Sequence, residues 1–588
     1  MNRPSFGPRL TQNGIEFRLW APNAKRVDVV IDHVHRMQRG DAGWFSAVVA
    51  EAKPGAQYRF RIDDAIDVPD PASGFQPQDV AGPSEVVDHV AYPWRAQDWR
   101  GRPWQDTVLI ETHVGTFTPQ GTYRAMIGKL DELVDTGFTA VELMPLADFP
   151  GARNWGYDGV LWYAPDSAYG RPKDLKALID EAHLRGLMVF LDVVYNHFGP
   201  EGNYLGQYAP GFFTAAQTPW GSAIDYRVAE VRAFAIENAL YWLRDYRFDG
   251  LRLDAVHAIP DQGEIPMLHE LSREVGRLAA QTNRHIHLVL ENDDNRATLL
   301  DPNAEPPHGN YRAQWNDDYH HAWHVFLTGE NDGYYSDYAP SPLTHLARAL
   351  GSGFAYQGEP SAHRGGAPRG EPSGALPPLA FVNFLQNHDQ IGNRPLGDRL
   401  ESLAAVEPIE AALAITLLAP MVPMLFMGEQ WGSQASFPFF CDFQGDLADA
   451  VRNGRRREFA GAYAKYGDDI PDPLSDAAFR SAVLDRDARH SAAGRRRLHL
   501  VKQLLAIRRR EIVPRLAGAR FGRAAVRDNA LLRADWSFAN GATLRLVANL
   551  SDQELQLDQP SAGGTNLWGN DLQGVIPPWA VSWRLEET

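Results

Sequence analysis

The sequence predicts an α/β protein: a (β/α)8 TIM barrel flanked by N-terminal and C-terminal β-sandwiches. Three observations carry this. Eight short apolar runs alternate with helical stretches through the middle of the chain. Polar residues collect at the C-terminal ends of those runs. Both ends of the chain instead alternate apolar and polar residues, the period of half-buried strands. With 588 residues one domain is not enough, and boundaries are expected at 1–95, 96–510 and 511–588.

In the first region Ile15, Phe17 and Leu19 alternate, as do Tyr58, Phe60 and Ile62. The Pro/Gly/Asp-rich stretch Val68 to Val86 predicts an irregular segment lying over a neighbouring surface. Pro93 to Pro103 reads as a linker. Buried strands are then expected in TVLIETHVGTF (from Thr107), AVELMPL (Ala140), LMVFLDVVYNH (Leu187) and FDGLRLDAVHAI (Phe248). Four more follow in IHLVLEN (Ile286), YRAQWNDD (Tyr311), LAFVNFLQNHD (Leu379) and PMLFMGEQ (Pro423). Between them lie amphipathic helices. One is DLKALIDEAHLRGL from Asp174; another carries Val228, Val231, Ala235, Ala239 and Trp242 at spacings of three and four. AALAITLLAPMVPMLF, from Ala411, predicts a buried helix feeding a buried strand. The Gly/Pro-rich stretch Gly351 to Pro378 is a long loop, either functional or disordered. Phe354, Tyr356 and Gln357 are its candidates for ligand contact. In the last region Leu532, Ala534, Trp536 and Phe538 alternate, Asn540-Gly541 marks a hairpin, and Leu544, Leu546, Ala548 and then Val581, Trp583, Leu585 continue the pattern.

Composition narrows the function. A hydrophobic share of 44% and a charged share of 22% are those of a soluble globular protein. The net charge of −17 argues against nucleic acid or an anionic membrane as partner. A single cysteine, Cys441, excludes an intrachain disulfide, and MNRPSFGPRL lacks the apolar core of a secretory signal; both fit a cytoplasmic protein. The 16 tryptophans fit either large cores or sugar-stacking surfaces.

In a parallel barrel the C-terminal strand ends share one mouth, where active sites lie. Glu111, His113, Asp192, Asn196, His197, Asp254, Glu291, His388 and Asp389 fall there. Arg252, two residues before Asp254, sits on the same face of its strand and favours an ionised carboxylate. Glu291 ends an almost wholly apolar run, so burial is expected to keep it protonated. One ionised and one protonated carboxyl is the pairing that glycoside hydrolysis requires. Asp389 and His197 would hold the sugar. Taken singly, Arg252–Asp254 also fits a structural ion pair and Glu291 a surface acid. His320, His321 and His324 raise the question of a metal, but a helical surface or substrate contacts account for them. Asn292-Asp293-Asp294 lacks the spacing and glycine of a calcium loop. No metal and no cofactor are expected.

DVVYNH, GLRLDAV, LVLEN and FLQNHD stand in the order and spacing of the four signature regions of the α-amylase family, which the chain resembles. The resemblance implies a retaining mechanism on α-glucosides, with Asp254 as nucleophile, Glu291 as acid/base and Asp389 as transition-state stabiliser. It implies Arg252, His197, His388 and Asp192 around the sugar before the cut, with Tyr157 of NWGYDG stacking on it. ETHVGTFTPQGTY, DPASGFQPQDVAGPSEV, QWNDDYHHAWH, FVNFLQNHDQIGNR and NGRRREF look like the maltooligosyltrehalose trehalohydrolase branch of that family. That branch implies hydrolysis of the α-1,4 bond joining trehalose to a maltooligosyl chain. Where typical α-amylases have Lys-His after the nucleophile, this chain has His257 and Ala258. His257, Trp315, Asp317, Asp318, His320, His321, Gln390 and Asn393 are therefore the candidates for substrate contact around a differently built leaving-group pocket. Asn196 matches a calcium-binding position of many α-amylases; here it is expected to brace its loop. A glycogen branching enzyme and a catalytically silent glycan-binding protein are the competing expectations.

Overall fold

The computed structural model describes residues 6–218, 221–261, 263, 265–301, 303, 311–557, 563–569 and 574–587. The N-terminal region is a pair of antiparallel sheets. One has the spatial order Arg9–Thr11, Gly14–Trp20, Trp44–Val49, Gln38–Arg39; the other runs Val34–Arg36, Val27–Val30, Gln57–Ile62, Ile66–Val68. Ile15, Phe17 and Leu19 from the first and Tyr58, Phe60 and Ile62 from the second are all buried, with the Phe17 and Tyr58 rings 4.7 Å apart. The irregular stretch beyond lies on its neighbour, as expected. Val80 packs with Val160, Leu161 and Ala164, and the Gly151 N–H donates to Asp79 at 2.9 Å.

The stretch read as a linker is anchored instead. Trp99 Nε1 donates to Asp249 Oδ1 at 2.8 Å and its ring stacks on His183. Arg102 Nε donates to the Gly186 carbonyl at 2.6 Å. Buried aromatic surface and satisfied polar groups thus fasten this connecting segment across the base of the barrel.

All eight predicted strands form: β1 Leu109–Thr112, β2 Ala140–Leu143, β3 Met188–Val193, β4 Gly250–Leu253, β5 His287–Leu290, β6 Ala313–Trp315, β7 Phe381–Asn383 and β8 Val422–Phe426. They pair in parallel in sequence order, and β8 closes on β1 with Met424 opposite Leu109. Leu109, Ala140, Met188, Phe190, Val289, Val382 and Met424 fill the barrel interior. Gly250 begins β4 because the Phe190 ring takes the space of a side chain there; a Cβ would lie 2.2 Å from that ring.

The predicted helices stand outside. The helix α1, Pro172–Leu184, buries Leu175, Leu178 and Ile179. The stripe Val231, Ala235, Ala239 and Trp242 is buried on α2, Ala229–Asp245, with Val228 as its N-cap. They are followed by α3 Met267–Thr282, α4 Asp317–Thr328, α5 Pro342–Ser352, α6 His388–Gly392, α7 Val406–Leu418 and α8 Gly445–Glu458. α7 is buried on every face from residue 411 to 418 and feeds β8, as its composition predicts.

The Gly/Pro-rich loop after α5 returns to the barrel mouth, and its three ligand candidates are structural. Phe354 packs edge-on against Phe381, the Tyr356 hydroxyl donates to the Asp337 carbonyl at 2.9 Å, and the Gln357 amide donates to Ser352 and to the Phe354 carbonyl. At the C-terminus five antiparallel strands form a sheet ordered Arg520–Arg527, Leu531–Ser537, Thr543–Asn549, Val581–Glu586, Thr565–Trp568, beside a smaller two-stranded one. It docks through two indoles: Trp536 donates to the Leu350 carbonyl of α5 and Trp583 to the Ala414 carbonyl of α7. Among the described residues no helix is long and apolar enough to cross a membrane. A cavity of about 790 Å³ lies between the N-terminal sheets and α2 and α3. The arginines along it are paired, Arg232 with Asp261, Arg244 with Asp245 and Arg277 with Glu274.

Candidate active site

Arg252 is the centre of the barrel mouth. Strand register puts it opposite Asp192 on β3 and Val289 on β5. Its Nη1 donates to Asp192 Oδ2 at 2.6 Å and to Asp254 Oδ1 at 2.7 Å, and its Nη2 lies 3.8 Å from Glu291 Oε2. The guanidinium rests on the Trp315 ring, 4.1 Å from its centroid. The other Asp254 oxygen accepts from Asn196 Nδ2 at 3.0 Å. Asn196 therefore braces more than its own loop: it fixes the carboxylate that ends β4. Such charge-assisted bonds to both oxygens hold one rotamer.

Ala255 follows in a left-handed conformation, φ 41° and ψ 49°, a region that costs a non-glycine residue about 1–3 kcal/mol. The strained turn aims the Ala255 N–H at Glu291 Oε2, 2.7 Å away. Burial raises Glu291 well above the usual carboxyl range; Arg252 opposes this and the Asp254 charge adds to it. Asp389 opens to the mouth from the first turn of α6 and accepts from Asn393 Nδ2 at 2.7 Å. It too is raised, by burial first, against the pull of His388.

A second cluster holds the wall beside these carboxyls. Glu111, at the end of β1, takes both the backbone N–H and the ring of His388. Burial opposes charge on that imidazole, but the Glu111 carboxylate overcomes it and raises His388. The Tyr157 ring stacks on His388 with centroids 5.1 Å apart, and its hydroxyl donates to Asp192 at 2.6 Å. Burial lifts Asp192 to about 6 despite Arg252. Glu142 on β2 lies deeper, 1% exposed, with no hydrogen-bond partner for either carboxyl oxygen among the described residues. Burial, then Asp192 and Glu111, push it well above the usual range.

The opposite wall comes from loops. The exposed His257 accepts from the Asp293 N–H at 3.2 Å. Arg364 and Arg369, from the returning loop, both reach Asp293: Arg364 Nη2 at 2.5 Å from Oδ2 and Arg369 Nη2 at 3.0 Å from Oδ1. Asp317 stands among Asp293, Asp389, Arg369 and Arg252, and burial with the first two charges raises it to about 7. Tyr334 is 38% exposed and feels the charges of Asp389 and Asp317. Sequence reasoning missed Glu111 as the holder of His388, and missed Asp293, Tyr334, Arg364 and Arg369. The signal for Glu111 was its strand-end position; nothing local marked the two arginines.

Several candidates for substrate contact stand elsewhere than expected. Asp318 is wholly buried, accepting from the Ala355 and Tyr356 N–H groups, Asn295 and Tyr338 and pairing with Arg369; it anchors the loop. His320 spends both ring nitrogens, on the Leu385 carbonyl and the Tyr335 hydroxyl. His321 is covered by Tyr334 and Tyr338, and His324 stacks on Tyr335, so this histidine row is core and not helical surface. Trp315 is 1% exposed, a floor beneath Arg252. Gln390 caps α6 through its contact with the Asn387 N–H; Asn393, by contrast, is exposed at the mouth beside Asp389. Both ring nitrogens of His197 meet protein atoms, Asn196 and the Tyr157 carbonyl. Tyr157, Asp192, Arg252, His257, Asp317 and His388 do converge with Asp254, Glu291 and Asp389 on the mouth.

Known proteins resemble this chain in separate stretches and over most of its length. Residues 90–210 match the family model "Alpha amylase, catalytic domain". Residues 5–73 match "Carbohydrate-binding module 48 (Isoamylase N-terminal domain)", and 519–583 a domain of unknown function. The malto-oligosyltrehalose trehalohydrolase of Deinococcus radiodurans is 43% identical over 85% of this chain and 82% of its own length. That of Saccharolobus solfataricus is 40% identical over 82% and 83%. The crystal structure of a candidate alpha amylase from Salmonella typhimurium superposes over the full length of both chains, with a TM-score of 0.94 and 44% identity. A barrel of this closure, flanked by these sheets and sharing that identity over most of its length, belongs to the malto-oligosyltrehalose trehalohydrolase family of α-amylase-type glycoside hydrolases.

Proposed function

We propose that this enzyme hydrolyses the α-1,4 bond between trehalose and the maltooligosyl chain of maltooligosyltrehalose, with retention of configuration. One observation carries the mechanism: Arg252 and Asn196 clamp Asp254, while its neighbour Glu291 sits where burial and the Asp254 charge hold a proton. In the first step an Asp254 oxygen bonds to the anomeric carbon as the bond to the glycosidic oxygen breaks. Glu291 gives its proton to that oxygen, and trehalose leaves. In the second, Glu291, now ionised, takes a proton from water; the hydroxyl oxygen bonds to the anomeric carbon, the ester to Asp254 breaks, and Glu291 is again protonated. Asp389 accepts hydrogen bonds from ring hydroxyls as the sugar flattens. The Tyr157–His388 stack provides the wall of the sugar being transferred.

Trehalose as leaving group is supported by the opposite wall. His257, Asp317, Asp293, Arg364 and Tyr334 offer donors, acceptors and an aromatic face beyond the Glu291 side. A non-reducing disaccharide presents hydroxyls on every side and no free anomeric end, and this mixed surface suits it. Incubation with maltopentaosyl-trehalose tests the assignment. Free trehalose with maltopentaose is expected; a branched glucan would make the chain a transferase, and no turnover would make it a binder.

A further inference from the structure

The motif NGRRREF lies on α8, outside the barrel, and nothing in the catalytic scheme uses it. Yet Arg455 of that motif reaches the catalytic mouth through Asn393. Its Nη1 donates to Asn393 Oδ1 at 3.3 Å and its Nη2 to the Gly392 carbonyl at 3.0 Å. Asn393 in turn donates from Nδ2 to Asp389 Oδ1 at 2.7 Å. The guanidinium is held over two rings, Phe439 and Phe459, at 4.9 and 4.7 Å; Glu458 shares Nη1 at 3.1 Å. Phe439 packs edge-on against Trp155, and Trp155 against His388. Gly392 leaves room for that indole: a Cβ there would lie 1.8 Å from the Trp155 ring.

An asparagine amide has a donor end and an acceptor end, and free rotation would let either face a carboxylate. A guanidinium carries donors only, so contact with Asn393 fixes the oxygen towards Arg455 and turns the NH2 towards Asp389. The bond from Arg455 to the Gly392 carbonyl, at the C-terminal end of α6, holds the guanidinium in place beside that amide. We infer that Arg455 is a positioning residue for Asp389, acting by locking the orientation of the Asn393 amide. At metal sites, side chains that orient an active group through one intermediate are worth about 10-fold or more in activity, and an effect of that order is expected here.

This inference rests on the proposed role of Asp389, and the two separate in one experiment. Rates on maltopentaosyl-trehalose are measured for Arg455→Ala, Asn393→Ala, the double variant and Asp389→Asn. Arg455→Ala is expected to lower kcat about 10-fold with KM within about 2-fold, because the ground-state sugar is held mainly by other groups. The double variant is expected to be no slower than Asn393→Ala, since the two residues act in series. Arg455→Lys, which keeps one donor on the amide, is expected to recover part of the loss. An unchanged kcat in Arg455→Ala, or losses that multiply in the double variant, would overturn the relay. Near-normal turnover by Asp389→Asn would sink instead the role assigned to Asp389.

Discussion

The two walls of the barrel mouth are built by different means. On the Asp254 side, groups that end strands hold one another: Arg252 of β4 binds Asp192 of β3, and Glu111 of β1 binds His388 just beyond β7. On the Glu291 side the charges come from loops, and Asp293 is held by arginines 71 and 76 residues further along the chain. Barrel register fixes the first wall to within a rotamer. The second depends on a Gly/Pro-rich loop finding its way back. The two carboxyls proposed for the chemistry, Asp254 and Glu291, both directly follow barrel strands, whereas the surface assigned to the leaving group is built from loops whose sequence can change.

The largest effect is expected from neutralising either of the two carboxyls proposed for the chemistry. Asp254→Asn and Glu291→Gln are expected to lower turnover of maltopentaosyl-trehalose by about 10⁴-fold or more, since the nucleophile and acid proposed for them would act as a unit. Circular dichroism and thermal unfolding are expected to change little, because both amides keep the shape of the side chain. A rate near that of the parent enzyme in either variant would break the assignment. Next in size is Arg369→Met. This arginine is 4% exposed and pairs with Asp293 and the fully buried Asp318. Its loss strands a buried carboxylate, for which about 3–5 kcal/mol of unfolding free energy is expected, read by denaturant titration. A loss below about 1 kcal/mol would mean that the loop wall does not depend on this anchor.

The same division decides what the sequence makes legible. The eight strands, the Arg252–Asp254 pair and Glu291 are marked by local patterns: an apolar run, a polar residue at its end, a cation two places away. Asp318 and His320 were misplaced because a polar residue at a helix start looks the same whether it faces a ligand or a loop; only the backbone N–H groups of Ala355 and Tyr356 decide it. Trp99 looked like linker because its partner, Asp249, is 150 residues away. Phe354 and Tyr356 suggested ligand contact by residue type alone, and the packing of Phe381 and Asp337 against them could not be read from spacing.

On the loop wall the softer group is Arg364, whose side chain is 25% exposed. It pairs with Asp293 and with Asp294. Arg364→Ala is expected to leave stability within about 1 kcal/mol of the parent. It is expected to lower kcat/KM for maltopentaosyl-trehalose about 10-fold, or about 1.4 kcal/mol of transition-state binding. The drop is expected to be smaller for a plain maltooligosaccharide, which lacks the trehalose end. Equal losses on both substrates would move Arg364 from specificity to general support of the site.

The smallest effect tests the fixed wall from below. Glu142 is buried under Asp192 and Arg252 without a hydrogen-bond partner among the described residues, and its pKa is well above the usual 4.5. The folded protein therefore keeps this proton at a pH where the unfolded chain has lost it. That preference stabilises the fold fully below about pH 4 and is lost as pH rises through the folded value, at up to about 1.4 kcal/mol per pH unit. Glu142→Gln has the shape of the protonated acid and no titration. The variant is expected to match the parent near pH 4 and to be more stable by at least about 1 kcal/mol at pH 8, measured as unfolding free energy at the two values. Catalysis is expected to persist, since Arg252 keeps both of its carboxylates. A variant less stable than the parent at pH 8 would mean that Glu142 works as a charge, and that the strand wall balances Arg252 with three carboxylates instead of two.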